Sequence, residues 1–149
     1  MNINFLKIML TGMVLQLAGC AHSFVAEDNF YDELGGLQGI GNIVDHLLFE
    51  IADDEKIVHH FEDTNIDRFR EKFIEQICNL SGGPCEYTGD SMSESHGGMD
   101  ITEAQFNSLV EDLIRAMETL DVPVAAQNRL LAKLVPMYND IMVNTKSSD

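Results

Sequence analysis

From Asp28 onward the apolar residues of this chain recur at intervals of three and four, the rhythm of helices packed along one face, and no stretch alternates apolar with polar as a half-buried strand would. Asp28 or Asn29 is placed to cap a short first helix that ends at Gly35-Gly36. Ile40, Ile43, Val44, Leu47, Leu48 and Ile51 then form the broad stripe of an amphipathic helix. A third segment opens at Thr64 or Asn65, aligns Phe69, Phe73, Ile77 and Leu80, and stops at Gly82-Gly83. Thr102-Glu-Ala-Gln105 has the form of a capping box, followed by Phe106, Leu109, Val110, Leu113, Met117 and Leu120. Pro123 suits the first turn of a last helix carrying Val124, Leu130, Leu131, Leu134, Val135, Tyr138, Ile141 and Met142, with Pro136 expected to kink it. With no strand pattern, internal repeat or low-complexity segment, the expected class is all-α, and 149 residues at 45% hydrophobic content suit one domain.

One stretch breaks the pattern. Gly82 to Ser91 carries no stripe, yet Tyr87, Met92 and Ile101 along and beyond it are large side chains that need something to pack on. A long loop of this kind in a small domain usually serves function, and a cofactor would supply the missing surface. His96 lies just beyond, on a short turn that Asp90 or Ser91 is placed to cap. A neutral imidazole held rigidly beside an apolar slot is an axial ligand for heme iron. By residue type alone, a histidine on such a short helix is more often structural than a ligand.

No serine or cysteine nucleophile stands in a pattern with an activating base, no phosphate-cradling glycine loop precedes a helix with lysine, and the acidic residues single out no pair. Hydrolytic chemistry is therefore poorly supported.

The first residues belong to a different category. Lys7 precedes an apolar run too short for a comfortable membrane span, ending in "LQLAGC" at Leu15 to Cys20. This resembles a bacterial lipoprotein signal, which implies cleavage after Gly19, lipid on Cys20, and a tether over residues 20–27 ahead of a domain at 28–149. Ala21 after the cysteine, in place of Asp, implies the outer membrane, with the domain facing the periplasm. The net charge of −16 disfavours nucleic acid and anionic lipid headgroups as partners and mostly serves solubility. In an oxidising compartment Cys78 and Cys85 are candidates for a disulfide folded over the Gly82-Gly83-Pro84 turn; the spacing alone leaves them equally able to stay as thiols.

Four stretches carry a broader likeness: "YDELGG" from Tyr31, "DTNIDRFREKF" from Asp63, "GGPCEYTGDSM" from Gly82 and "HGGMDIT" from His96. Together they resemble a group I truncated hemoglobin over about Tyr31 to Tyr138. The resemblance implies a two-over-two helical sandwich, heme b as cofactor, and His96 as the proximal iron ligand. It implies that Phe61 packs on the heme and that Met92, Ile101, Phe106, Leu109, Leu113 and Tyr87 line the pocket. For several of these an ordinary core role fits the periodicity as well. On the distal side, where the family commonly places a tyrosine and a glutamine, this chain has Leu48 and Phe73, with Phe69 beside them. The implied distal pocket is apolar and offers O₂ no hydrogen-bond donor, which implies weaker O₂ retention and less discrimination against CO or NO.

His59 and His60 precede Phe61 and are open both to a solvated loop role and to contact with heme, its propionates or, after rearrangement, its iron. His46 lies off the distal face of its helix, and His22 belongs to the tether. The implied activity is reversible binding or carriage of O₂ or another diatomic ligand. The alternatives are a redox or NO-detoxifying enzyme fed by an unidentified reductant, and an interaction module without heme.

Overall fold

A computed structural model describes residues 29–142. The lipoprotein-like segment, Cys20 and His22 lie outside that range. Among the described residues no helix is long and apolar enough to cross a membrane.

Helix α1 (Phe30–Glu33) is a single turn, and α2 (Gly36–Asp53) begins almost directly after it. The break between them depends on glycine: Gly35 and Gly36 both take positive φ, 82° and 63°, a conformation that side-chain-bearing residues rarely adopt. Gly39 lets the new helix begin close against α1, since a Cβ there would run into the Leu34 carbonyl oxygen. After α2 a short 3₁₀ turn (Val58–Phe61) leads to α3 (Ile66–Leu80), whose first turn is capped by Asn65 accepting from the Arg68 amide at 3.0 Å. Helix α4 (Met92–Ser95) is again one turn; α5 (Glu103–Thr119) opens with the capping box of Thr102 and Gln105 that its sequence predicts.

Helix α6 (Val124–Leu134) starts just after Pro123. Pro136 does more than kink the last helix; it divides it. The chain passes through a 3₁₀ turn (Val135–Met137) and resumes as the short helix α7 (Tyr138–Met142), because proline removes a donor and crowds the preceding turn.

The α2–α3 pair lies against the α5–α6 pair, the two-over-two helical sandwich, with α2 at its centre packed mainly on α5 and α3. Its stripe is buried as the spacing predicts at Ile40, Ile43, Val44, Leu47 and Ile51, where it meets Ile77 of α3, Met117 of α5 and Leu130 of α6. Leu48, at the edge of that stripe, is only half-buried. Phe30 seals one end under the Arg129 guanidinium, 4.3 Å from its ring centroid, and Arg129 also pairs with Glu33 at 2.9 Å.

Candidate functional site

Between α3 and α4 the backbone runs without helix from Gly82 to Ser91, and side chains of α3 hold it. The Gly83 amide donates to the Cys78 carbonyl at 2.8 Å, and Cys78 and Cys85 form a disulfide across a Cα separation of 5.7 Å. Asn79 Nδ2 donates to the Cys85 carbonyl at 3.1 Å. One turn earlier, Glu75 accepts from both the amide and the hydroxyl of Thr88, at 3.0 and 2.9 Å. Lys72 donates to Thr88 Oγ1 at 2.8 Å and to Glu75 at 2.9 Å, and Arg68 reaches Asp90 at 3.2 Å. The Lys72 ammonium, with Thr88 adding two hydrogen bonds, lowers the Glu75 carboxyl to about 2. Tyr87 folds back over Gly89 and donates to the Asp90 carbonyl at 2.7 Å, its phenol pushed up by partial burial. Positions 68, 72, 75 and 79 lie along one face of α3 at helical spacing, so one helix face pins the whole loop.

The pinned loop delivers α4. Ser91, not Asp90, caps it, in a reciprocal capping box with Glu94. Helix α4 is so short that His96 sits at its C-cap, and there the imidazole Nδ1 lies 2.8 Å from the Met92 carbonyl oxygen. A carbonyl only accepts, so Nδ1 carries the proton and Nε2 keeps its lone pair. This is the arrangement that orients a histidine as a metal ligand through its other nitrogen.

His96 faces a cavity of about 50 Å³ whose wall is almost wholly apolar. Phe61 from the 3₁₀ turn, Ile101 from the segment before α5, and Phe106 and Leu109 from α5 share this cavity with it. Ile57, Met99, Gln105 and Ile141 also line it, and sequence reasoning did not single them out for the site. Ile141 was legible only as part of the last helix's stripe. The other expected residues lie around the cavity without lining it. Met92 receives the Gln76 amide on its sulfur at 3.7 Å, Leu113 is buried in the main core, and Tyr87 stays with the loop. Phe69 and Phe73 join Phe61 in an aromatic row, with Phe61 and Phe69 edge to face at 5.3 Å and Phe69 and Phe73 stacked at 5.7 Å.

Two further histidines approach the same region differently. His59 is exposed, with Nε2 3.4 Å from the Gln105 amide nitrogen. His60 lines the cavity, and its Nε2 is buried with no hydrogen-bond partner. His46, by contrast, is tied to the Asn42 carbonyl at 3.0 Å on α2 and edges onto Phe49.

A second cleft, of about 210 Å³, is polar throughout; Glu50, Asp54, Ser108 and Arg115 frame it without a histidine. Beside it Asp112 is fully buried, one oxygen paired with Arg115 and the other unpartnered, and burial raises its pKa.

No group of three or more His, Cys, Asp or Glu among the described residues is placed to hold a bare metal ion. The His96 imidazole, oriented through Nδ1 and set among apolar walls, is a residue that would hold heme iron through Nε2. The unpartnered nitrogen of His60 on the same wall fits that group too. Ligand pockets commonly measure about 300–1,000 Å³, so the lining side chains must part to admit it. Helices in this order around such a slot define a heme-binding globin.

The chain belongs to the bacterial-like globin family, whose model matches residues 29–143. It is 30% identical to a group 1 truncated hemoglobin of Tetrahymena pyriformis over 98 residues, covering 66% of this chain and 81% of that one. The group 1 truncated hemoglobin GlbN of Mycolicibacterium paratuberculosis is 28% identical over 113 residues, or 76% and 83% of the two chains. The crystal structure of the Tetrahymena pyriformis truncated hemoglobin in its Fe(III) form superposes with a TM-score of 0.73 at 26% identity, covering 76% of this chain and 97% of that one.

Proposed function

We propose that this globin holds heme b through His96 Nε2 and reversibly binds O₂ or another diatomic ligand, NO or CO. The observation that carries the reading is the bond from His96 Nδ1 to the Met92 carbonyl, which leaves the Nε2 lone pair free on a residue that lines an apolar cavity. When bound, heme supplies the iron that takes the diatomic ligand. The chain's own residues do the rest. Met92 fixes the tautomer of His96, and the loop pinned to α3 fixes its position. Phe61, Ile101, Phe106 and Leu109 exclude water from the macrocycle face. Leu48, Phe69 and Phe73 bring no hydrogen-bond donor to the distal side, which favours apolar ligands over retained O₂. An external reductant keeps such a protein competent.

Spectra of the heme-reconstituted chain, ferric, ferrous and with CO, test the reading. A Soret band is expected, and its absence overturns the proposal. His96→Ala is expected to abolish the normal proximal-histidine spectrum; an unchanged spectrum overturns the assignment of His96.

The same proposal places the domain on a lipid anchor at Cys20, in the outer membrane and facing the periplasm. The "LQLAGC" stretch and Ala21 support it, as does the disulfide, which persists in oxidising compartments. Cys20→Ser is expected to move the protein from the membrane fraction to the soluble one; an unchanged partition argues against the anchor.

A further inference from the structure

The polar cleft beside the end of α2 carries more negative charge than its own residues neutralise. Glu50, Asp53, Asp54 and Glu111 line it, against Lys56 and Arg115. Acidic side chains on a surface are ordinary; the carboxyl beneath these is not. Asp112 is fully buried, and while one of its oxygens pairs with Arg115, Oδ2 is buried with no hydrogen-bond partner. Its neighbours on α5, Ser108, Glu111 and Arg115, all line the cleft, and so do Glu50 and Asp54, whose charges act on it from the end of α2. The orphan oxygen is therefore enclosed by the cleft's own residues. An unpaired buried carboxylate oxygen carries a desolvation penalty, which a donor arriving through the cleft would remove.

We propose that this cleft is a binding site for a small organic cation bearing a guanidinium group, with Asp112 as its anchor. A metal ion is the poorer match, because among the described residues no group of three or more His, Cys, Asp or Glu is placed to hold one. Carboxylates too dispersed to share an ion can each take a separate N–H of a planar guanidinium, whose donors fan outward. The chain's own Arg115 shows this, reaching Glu50 through Nε at 2.8 Å and Asp112 through Nη2. The cleft measures about 210 Å³, less than the about 300–1,000 Å³ of sites for drug-sized ligands, and its wall is polar, so it suits a small ligand with little apolar surface. Asp53 and Glu111 line it while exposed to solvent, where an arriving cation meets them first.

The site is separate from the cavity of His96, although the same segments back both. Lys56 and Ser108 line the cleft, while their chain neighbours Ile57 and Leu109 line the cavity. Binding of the cation therefore needs no heme. Burial, with Asp54, Glu50 and Glu111 nearby, raises the Asp112 carboxyl against the pull of Arg115. Asp54 behaves oppositely, held low by the Ser108 hydroxyl and the Lys56 amide. A bound cation favours ionised Asp112, so affinity falls as pH falls and Asp112 takes up its proton.

The test titrates the full chain with agmatine in low salt by isothermal calorimetry, with and without heme. Saturable binding is expected in both, tighter than that of 1,4-diaminobutane, which carries an ammonium where agmatine carries its guanidinium. Asp112→Asn is expected to weaken agmatine by about 10- to 150-fold, as for a lost hydrogen bond to a charged group, and to flatten the decline in affinity as pH is lowered. If Asp112→Asn does not fold, the double variant Asp53→Asn, Glu111→Gln, both on exposed side chains, must weaken agmatine severalfold.

Heats no larger than dilution would mean that water alone serves the Asp112 oxygen, and would overturn the proposal. An affinity that these variants leave unchanged overturns it as well, since the binding would then be diffuse attraction to an acidic surface. Equal affinity for the two amines overturns the assignment of a guanidinium.

Discussion

The Cys78–Cys85 bond closes a loop with a sequence separation of only seven, and that loop begins the segment leading to His96. Reducing it in the wild-type chain is a cleaner perturbation than substitution, because every atom stays in place and buried Cys78 needs no replacement. In the chain-entropy account the cross-link removes about 2.1 + 1.5R ln n cal/mol/K from the unfolded state, which for a loop of seven amounts to about 2.4 kcal/mol at 25 °C. Spread over a domain of this size, the loss corresponds to a fall in melting temperature of about 10 °C. Urea denaturation monitored by circular dichroism, with and without reductant, reads the difference directly. The denaturant dependence should change little, while the midpoint moves down. Heme retention should weaken in the same samples, since the loop that positions His96 then relies on Glu75, Lys72, Arg68 and Asn79 alone. A midpoint unmoved by reductant, in a sample whose two thiols titrate as free, would show that the side-chain bonds of α3 constrain the loop without help.

Other consequences are open to measurement. The Glu75 carboxyl is lowered to about 2, so its contribution is complete above the ordinary carboxylate range near pH 4.5 and disappears as pH falls toward 2. Glu75→Gln should flatten that acid limb in a stability titration, and parallel wild-type and variant curves would refute the assignment. Gly39→Ala places a methyl group against the Leu34 carbonyl, an overpacking that should cost about 1 to 3 kcal/mol in chemical denaturation; a neutral result would mean that α1 shifts freely. On the proposed heme reading, Leu48→Tyr adds a donor worth about 1 to 3 kcal/mol to bound O₂, so O₂ dissociation measured by stopped flow should slow by about 5- to 150-fold. No slowing would show that the distal side of the heme lacks no donor.

What could be read from the chain depended on the kind of signal each residue gives. The stripes of α2, α3 and α5, the box at Thr102 and Gln105 and the stop at Gly82-Gly83 are local or periodic patterns, and they surfaced in the sequence because backbone geometry dictates them. His96 stood out through its loop and through a family likeness. The bond that orients its ring, to the Met92 carbonyl, had no signature beyond a spacing of four. Leu113 shows the limit of a stripe: it shares a helix with Phe106 and Leu109 but turns into the main core, because a helix of that length spans more than one neighbour. Ile57, Met99 and Gln105 line the cavity from irregular segments or a helix's first turn, where no period exists to mark them. The polar residues of α3 carry no spacing that marks a site, and only the path of the backbone after Pro84 reveals what they hold.

That face of α3 bears on how such a protein can change over generations. The segment from Gly82 to Ser91 has no repeating hydrogen bonds of its own, so its shape is encoded largely at Arg68, Lys72, Glu75 and Asn79, in a different part of the chain. Grafting the segment alone into another globin would transfer its letters without its conformation. Loop and helix are one heritable unit, and a substitution that drifts on the outer surface of α3 is felt at the cavity that His96 lines.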